Sequence, residues 1–218
     1  MKKVLLALAS SLLASFASAN PVTIDPDGLA EGTDLSNAFS GVTLRHLTVV
    51  TDASGTGSLA VGNVYAKECP TTSDPNSRCS ALGSGYFGHQ TSTGDIAGSF
   101  VAESIYSIGC ITSNSNSGSC KWSPHHFLDV TFDFAVQAAT IDATHLSDWP
   151  QAWAFDAAGN QLQVNQEITW HQQCGPSDHN NFCHQTLTVT PVTGQISRVI
   201  FSGLGGFVNL DKLTYTVP

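Results

Sequence analysis

Charged side chains are scarce in this chain of 218 residues: they make up 11%, split as 8 Lys+Arg against 17 Asp+Glu, for a net charge of −9. With four Glu, five Lys and one Met, the chain lacks the residues from which coiled coils and helical bundles are built, so a predominantly helical fold is excluded. Beyond Lys2 and Lys3 there is no basic cluster to neutralise a phosphate lattice, which removes nucleic acid and anionic membrane surfaces from the expected partners. After the first stretch no apolar run approaches the ~20 residues of a membrane span. A C-x2-C knuckle and a G-x-S-x-G nucleophile elbow are also missing. Glycine and proline are plentiful at 19 and 9, and a hydrophobic fraction of 41% is enough for a packed core joined by turns.

The first 19 residues read as an address. Lys2 and Lys3 form a positive start, Val4 to Phe16 an apolar run, and Ala17-Ser18-Ala19 a small-residue cleavage site, the three parts of a secretory signal peptide. Residues 20–218 are then expected to form a single domain outside the cytoplasm, in the periplasm or the extracellular space.

Export decides how the six cysteines are read. They fall as three local pairs, Cys69 with Cys79, Cys110 with Cys120 and Cys174 with Cys183. In an oxidising compartment the simplest connectivity is three sequential disulfides, each closing a polar loop. On the chain-entropy argument each loop of about ten residues adds roughly 2.5 to 3 kcal/mol.

Along the rest of the chain, period-two alternation recurs between turns. Leu128, Val130, Phe132 and Phe134 alternate with Asp129, Thr131 and Asp133, the pattern of a half-buried strand. Similar runs are Val42–Val50, Ser58–Tyr65, Ser99–Ile108, Val136–Ile141, Gln151–Phe155, Ile168–Gln173, Thr186–Thr190, Ile196–Ser202 and Lys212–Val217. About ten short strands with Gly-, Asn- and Asp-rich turns predict an all-β antiparallel sandwich, with no helix longer than a turn at Asp34–Phe39.

A disulfide between Cys174 and Cys183 predicts the register of one hairpin. It places Trp170 opposite Leu187 and Ile168 opposite Val189 on an apolar face, and His171 opposite Thr186 and Gln173 opposite His184 on a polar one. The loop between them carries Asp178 and His179. A zinc or copper site built from His171, His179 and His184 is one reading; a solvated face rich in His and Gln is the plainer one and is preferred. His125-His126 is likewise read as a loop pair.

Catalytic groups are thinly represented. Asp129 and Asp133 share a strand face but stand about 13 Å apart, beyond the spans of glycosidase carboxylate pairs. An enzyme is therefore not expected. Carbohydrate binding asks instead for aromatic faces beside amides and carboxylates. Trp122 and Trp149, both near turns, with Asp148, His171, Gln173 and His184, are the expected ligand-binding residues, and Tyr86 and Phe87 are further candidates. Trp153, in phase with Phe155, and Trp170 are expected in the core.

The opening Ile24-Asp25-Pro26-Asp27-Gly28-Leu29-Ala30-Glu31-Gly32-Thr33, followed by Phe39-Ser40-Gly41-Val42, resembles the start of a bacterial exported jelly-roll family found among PEP-CTERM-type proteins. The stretch Asp156-Ala157-Ala158-Gly159-Asn160 is similar to that family's Asp-x-x-Gly-Asn hairpin. Ile196–Phe201 and Val208–Leu213 are similar to its last two strands. The resemblance implies a galactose-binding-like jelly roll that binds carbohydrate or extracellular polysaccharide without catalysis. It also implies a structural calcium ion between the first and last strands, held by Asp25 and Asp211 with Asp27 as an extra ligand. The chain stops at Thr216-Val217-Pro218, with neither tail helix nor terminal basic cluster, so free secretion is expected. Two alternatives remain: an adhesive matrix protein that binds other proteins, and a secreted hydrolase or lyase with a His or carboxylate site.

Overall fold

Alternating side chains with turn residues between them force an extended, reversing chain, and that is what the computed structural model contains. It describes residues 20–51, 57–69, 83–100, 125–145, 149–171, 183–204 and 208–218. Among these there are thirteen strands and no helix, hence none long and apolar enough to cross a membrane. The strands are β1 (Pro21–Ile24), β2 (Val42–Thr51), β3 (Gly57–Gly62), β4 (Val64–Glu68), β5 (Gly85–Gln90), β6 (Ile96–Ala97), β7 (His125–Val136), β8 (Ala138–His145), β9 (Trp149–Phe155), β10 (Val164–His171), β11 (Cys183–Pro191), β12 (Ile196–Leu204) and β13 (Val208–Thr216).

They form two five-stranded antiparallel sheets, ordered β1-β13-β8-β11-β10 and β3-β2-β7-β12-β9, and a three-stranded sheet β4-β5-β6. One apolar core joins all three. Ile141, Leu187, Leu210 and Leu213 come from the first sheet, Leu44, Leu128, Val130 and Phe201 from the second, and Val64 and Phe87 from the third. This is the layered arrangement that lets each sheet bury one apolar face.

β7 is buried on more than one side. Its even-numbered residues Leu128, Val130 and Phe132 enter the main core, while Phe127 packs with Leu47, Trp153, Phe155 and Ile200 in a second cluster on the opposite face. Asp129 lies on that second face and is itself buried, not solvated as simple alternation predicts. Arg198 makes this tolerable by donating two hydrogen bonds to its carboxylate, at 2.6 and 3.1 Å.

A bulge in β13 carries more of the architecture. Register against β8 shifts between Asp211 and Thr214, and Lys212 takes the left-handed backbone conformation with φ 44°. The extra residue lets the apolar sequence change phase, so that Leu210 and Leu213, three residues apart, both reach the core.

Several expectations need correction. The run Ser58–Tyr65 is divided between β3 and β4, which lie in different sheets. The short β1, β5 and β6 were not expected; β5, Gly-Tyr-Phe-Gly-His-Gln, lacks alternation because five of its six residues are buried. The β10–β11 hairpin exists, but its register is displaced by two residues: Ile168 faces Leu187, Thr169 faces Thr186, Trp170 faces Gln185 and His171 faces His184. A two-residue slip keeps every side chain on its own face, so alternation is blind to it. Cys69 is disulfide-bonded; the expected pairings rest on cysteines whose side chains lie outside the described residues, as do residues 1–19 and the stretch 101–108 of one expected strand.

Candidate functional site

Three groups of potential ligand side chains and one groove emerge from this frame. The first group is Asp25, Asp27 and Asp211, each with an oxygen within 4.8 Å of the others. Asp25 directly follows the first strand and turns the chain by accepting a hydrogen bond from the Asp27 N–H at 2.9 Å. Asp27 is clamped in turn, its Oδ1 accepting from the backbone N–H groups of Ser84 and Gly85 at 2.6 and 2.7 Å. Gly83 and Gly85 permit that approach: a Cβ on Gly83 would collide with the Asp27 carboxylate, and one on Gly85 would sit 2.6 Å from the Pro26 carbonyl oxygen.

Asp211 enters from the bulge. It is fully buried, and neither carboxylate oxygen has a well-formed hydrogen bond. Burial, reinforced by the charges of Asp25 and Asp27, pushes its carboxyl up to about 8, against partial compensation from the Lys212 backbone. The Lys212 ammonium stands 3.8 Å from Asp25 and 3.7 Å from Asp27. Three convergent carboxylates, one of them orphaned, fit a hard divalent cation of the calcium class.

The second group lies on the same sheet. Asp142 on β8, Thr186 on β11 and His171 on β10 form a chain: Thr186 Oγ1 donates to Asp142 Oδ1 at 2.6 Å and so accepts from His171 Nε2, also at 2.6 Å. His184 Nε2 stands 3.7 Å from Asp142 Oδ2, and its ring lies 4.6 Å from that of His171. Although burial opposes it, His184 and Thr186 hold the Asp142 carboxyl below its ordinary range.

The third group was missed in the sequence: His46 on β2, His89 on β5 and His126 on β7. His125-His126 is therefore not a loop pair, since both residues open β7. A signal was present. His46 is in phase with Val42 and Leu44, and His126 with Leu128 and Val130, so alternation places both imidazoles on the core-facing side.

A groove of about 650 Å³ opens beside β7, β9 and β12, lined by Asp133, Phe134, Phe155, Asp156, Gln195 and Arg198 among others. Among the described residues, neither His171 nor His184 lines it. Of the other expected ligand-binding residues, Trp122, Asp148 and Gln173 lie outside the described residues, as does the side chain of Trp149, whose backbone begins β9. His171 and His184 meet in the second group. Tyr86 and Phe87 are no sugar platform, because β5 is enclosed and both rings are buried, Phe87 completely. Trp153 is in the second apolar cluster, as alternation indicates.

The chain has no match among protein-family models, curated proteins or solved structures.

Proposed function

We propose that this protein is an exported β-sandwich module that binds extracellular carbohydrate without catalysis and is braced by a calcium-class cation held by Asp25, Asp27 and Asp211. The observation that carries the binding reading is the groove. Its volume of about 650 Å³ falls within the range of small-molecule sites. It sets the half-buried Phe134 beside Asp133, Asp156, Gln195 and Arg198, over a floor that includes the buried Phe155. Aromatic surface next to carboxylates, an amide and a guanidinium is what a sugar ring requires, with its apolar C–H face and its rim of hydroxyls. Jelly-roll connectivity, sequential disulfides in the loops and removal of residues 1–19 belong to the same reading.

The test is a glycan array and an insoluble-polysaccharide pull-down on the secreted protein, with calcium and with chelator. Asp133→Ala and Phe134→Ala should each lower retention at least tenfold while circular dichroism stays native. Retention that survives both substitutions would remove the groove from the reading. No binding in either condition, with the fold intact, would favour a structural matrix protein.

A further inference from the structure

We propose that His46, His89 and His126 form a buried binding site for a late transition-metal dication, zinc or copper(II), that ties the three-stranded sheet to the β2–β7 face of the sandwich. The three imidazoles come from strands in two sheets and are stacked with their planes 12–14° apart, at centroid distances of 4.0, 4.5 and 5.1 Å. His46 and His89 are 5% and 3% exposed. One nitrogen from each ring lies within 4.8 Å of the others.

Hydrogen bonding leaves one nitrogen idle. His89 Nε2 lies 3.1 Å from the Ser99 carbonyl oxygen, which can only accept, so the proton is on Nε2 and Nδ1 carries the lone pair. That Nδ1 is buried and makes no well-formed hydrogen bond, the Gln90 backbone giving His89 only a weak second contact. A histidine that donates one N–H to a backbone carbonyl and presents its other nitrogen unprotonated is arranged as metal ligands are. His46 Nε2 and His126 Nδ1 meet at 2.9 Å and share one proton between two ligand atoms. Moving that proton to the far nitrogen of the ring that holds it frees both lone pairs without changing the charge of either ring.

The protonation state agrees. Burial disfavours the charged form of these rings, and the neutral form is the one able to coordinate. The donor set contains nitrogen and no carboxylate, which selects zinc or copper over calcium or magnesium. Phe100 walls the cluster, its ring centroid 5.6 Å from His89 and 6.4 Å from His46. A metal lies in the plane of each imidazole that ligates it, so coordination turns the three rings out of their parallel stack.

The experiment uses the full secreted chain stripped with chelator, carrying His171→Ala and His184→Ala so that the second histidine group cannot contribute. Zinc uptake is measured by metal analysis after gel filtration, and copper(II) is examined by paramagnetic resonance for nitrogen coupling. One equivalent of zinc per chain is expected, with imidazole nitrogen coupling from copper, and a further His89→Gln change should remove both. His126→Gln, on the partly exposed member, serves as the second test should His89→Gln unfold. Less than a tenth of an equivalent in the histidine-depleted parent, or unchanged uptake in both glutamine variants, would overturn the proposal.

Discussion

Asp142 and Asp211 face each other directly across the β8–β13 pairing, one in each of two adjoining groups of ligand side chains. Lys212, thrown into a left-handed conformation by the bulge, stands 3.8 Å from Asp25 and 3.7 Å from Asp27 in the group that holds Asp211. Although partial burial opposes it, the carboxylates of Asp25, Asp211, Asp27 and Asp142 raise its ammonium above the ordinary value. Lys212 therefore acts as a built-in counter-ion competing for the place a divalent cation would take.

Replacing that counter-ion should separate the two roles. Lys212→Asn keeps a residue that tolerates positive φ and removes the charge. Calcium affinity measured by calorimetry is expected to rise about threefold to tenfold, while the calcium-free protein melts at a lower temperature. Equal affinity in variant and parent would show that Lys212 does not face the ion.

Asp211→Asn tests the cation from the other side. The amide is nearly isosteric and spares the core an orphaned carboxylate, so the calcium-free variant should be at least as stable as the parent at neutral pH. At a calcium concentration one hundred times the dissociation constant, the parent gains about 2.7 kcal/mol, and the variant should lose that gain. Melting curves with and without calcium read both effects. A variant stabilised as much as its parent would place the ion elsewhere.

In the metal-free protein the stacked histidines make stability fall in acid. Their folded values, about 3 for His46 and about 4 for His126, lie below the unfolded value of 6.5, so the unfolded chain binds more protons in between. Their contribution is present above pH 6.5 and is lost as pH falls toward 3 to 4, by up to about 1.4 kcal/mol per pH unit for each histidine. Urea titrations across pH 4 to 7 should show that slope, and His46→Gln should flatten it. An equal slope in the variant would assign acid sensitivity to other groups.

What the sequence made legible depended on how local the signal was. The strand containing Leu128, Val130 and Phe132 was readable because period two repeats over seven residues. β5 was not, since a strand enclosed on both faces shows no alternation. The β10–β11 hairpin was placed but its register was not: Ile168 meets Leu187 in place of Val189, and both partners are apolar. Asp25, Asp27 and Asp211 were named from a resemblance at the two ends of the chain, and the structure brings them together. His46, His89 and His126 are joined only by long-range packing between sheets, which no local pattern encodes.

The Asp129–Arg198 pair offers a prediction about the fold alone. Asp129 is 7% exposed on the face occupied by Phe127, Trp153 and Ile200, and Arg198 is its bidentate partner while also lying 5.6 Å over the Phe155 ring. Arg198→Met keeps much of the apolar stem but leaves a buried carboxylate without its partner, so a loss of about 3 to 5 kcal/mol is expected. Adding Asp129→Leu to that variant removes the unpaired charge and should return more than half of the loss, because two apolar residues suit a cluster already built from aromatic and aliphatic side chains. Urea unfolding of the two single variants and the double variant forms the cycle that measures the coupling. If the losses simply add, Asp129 retains a compensating partner after Arg198 is gone, and the ion pair is not what permits a carboxylate in this cluster.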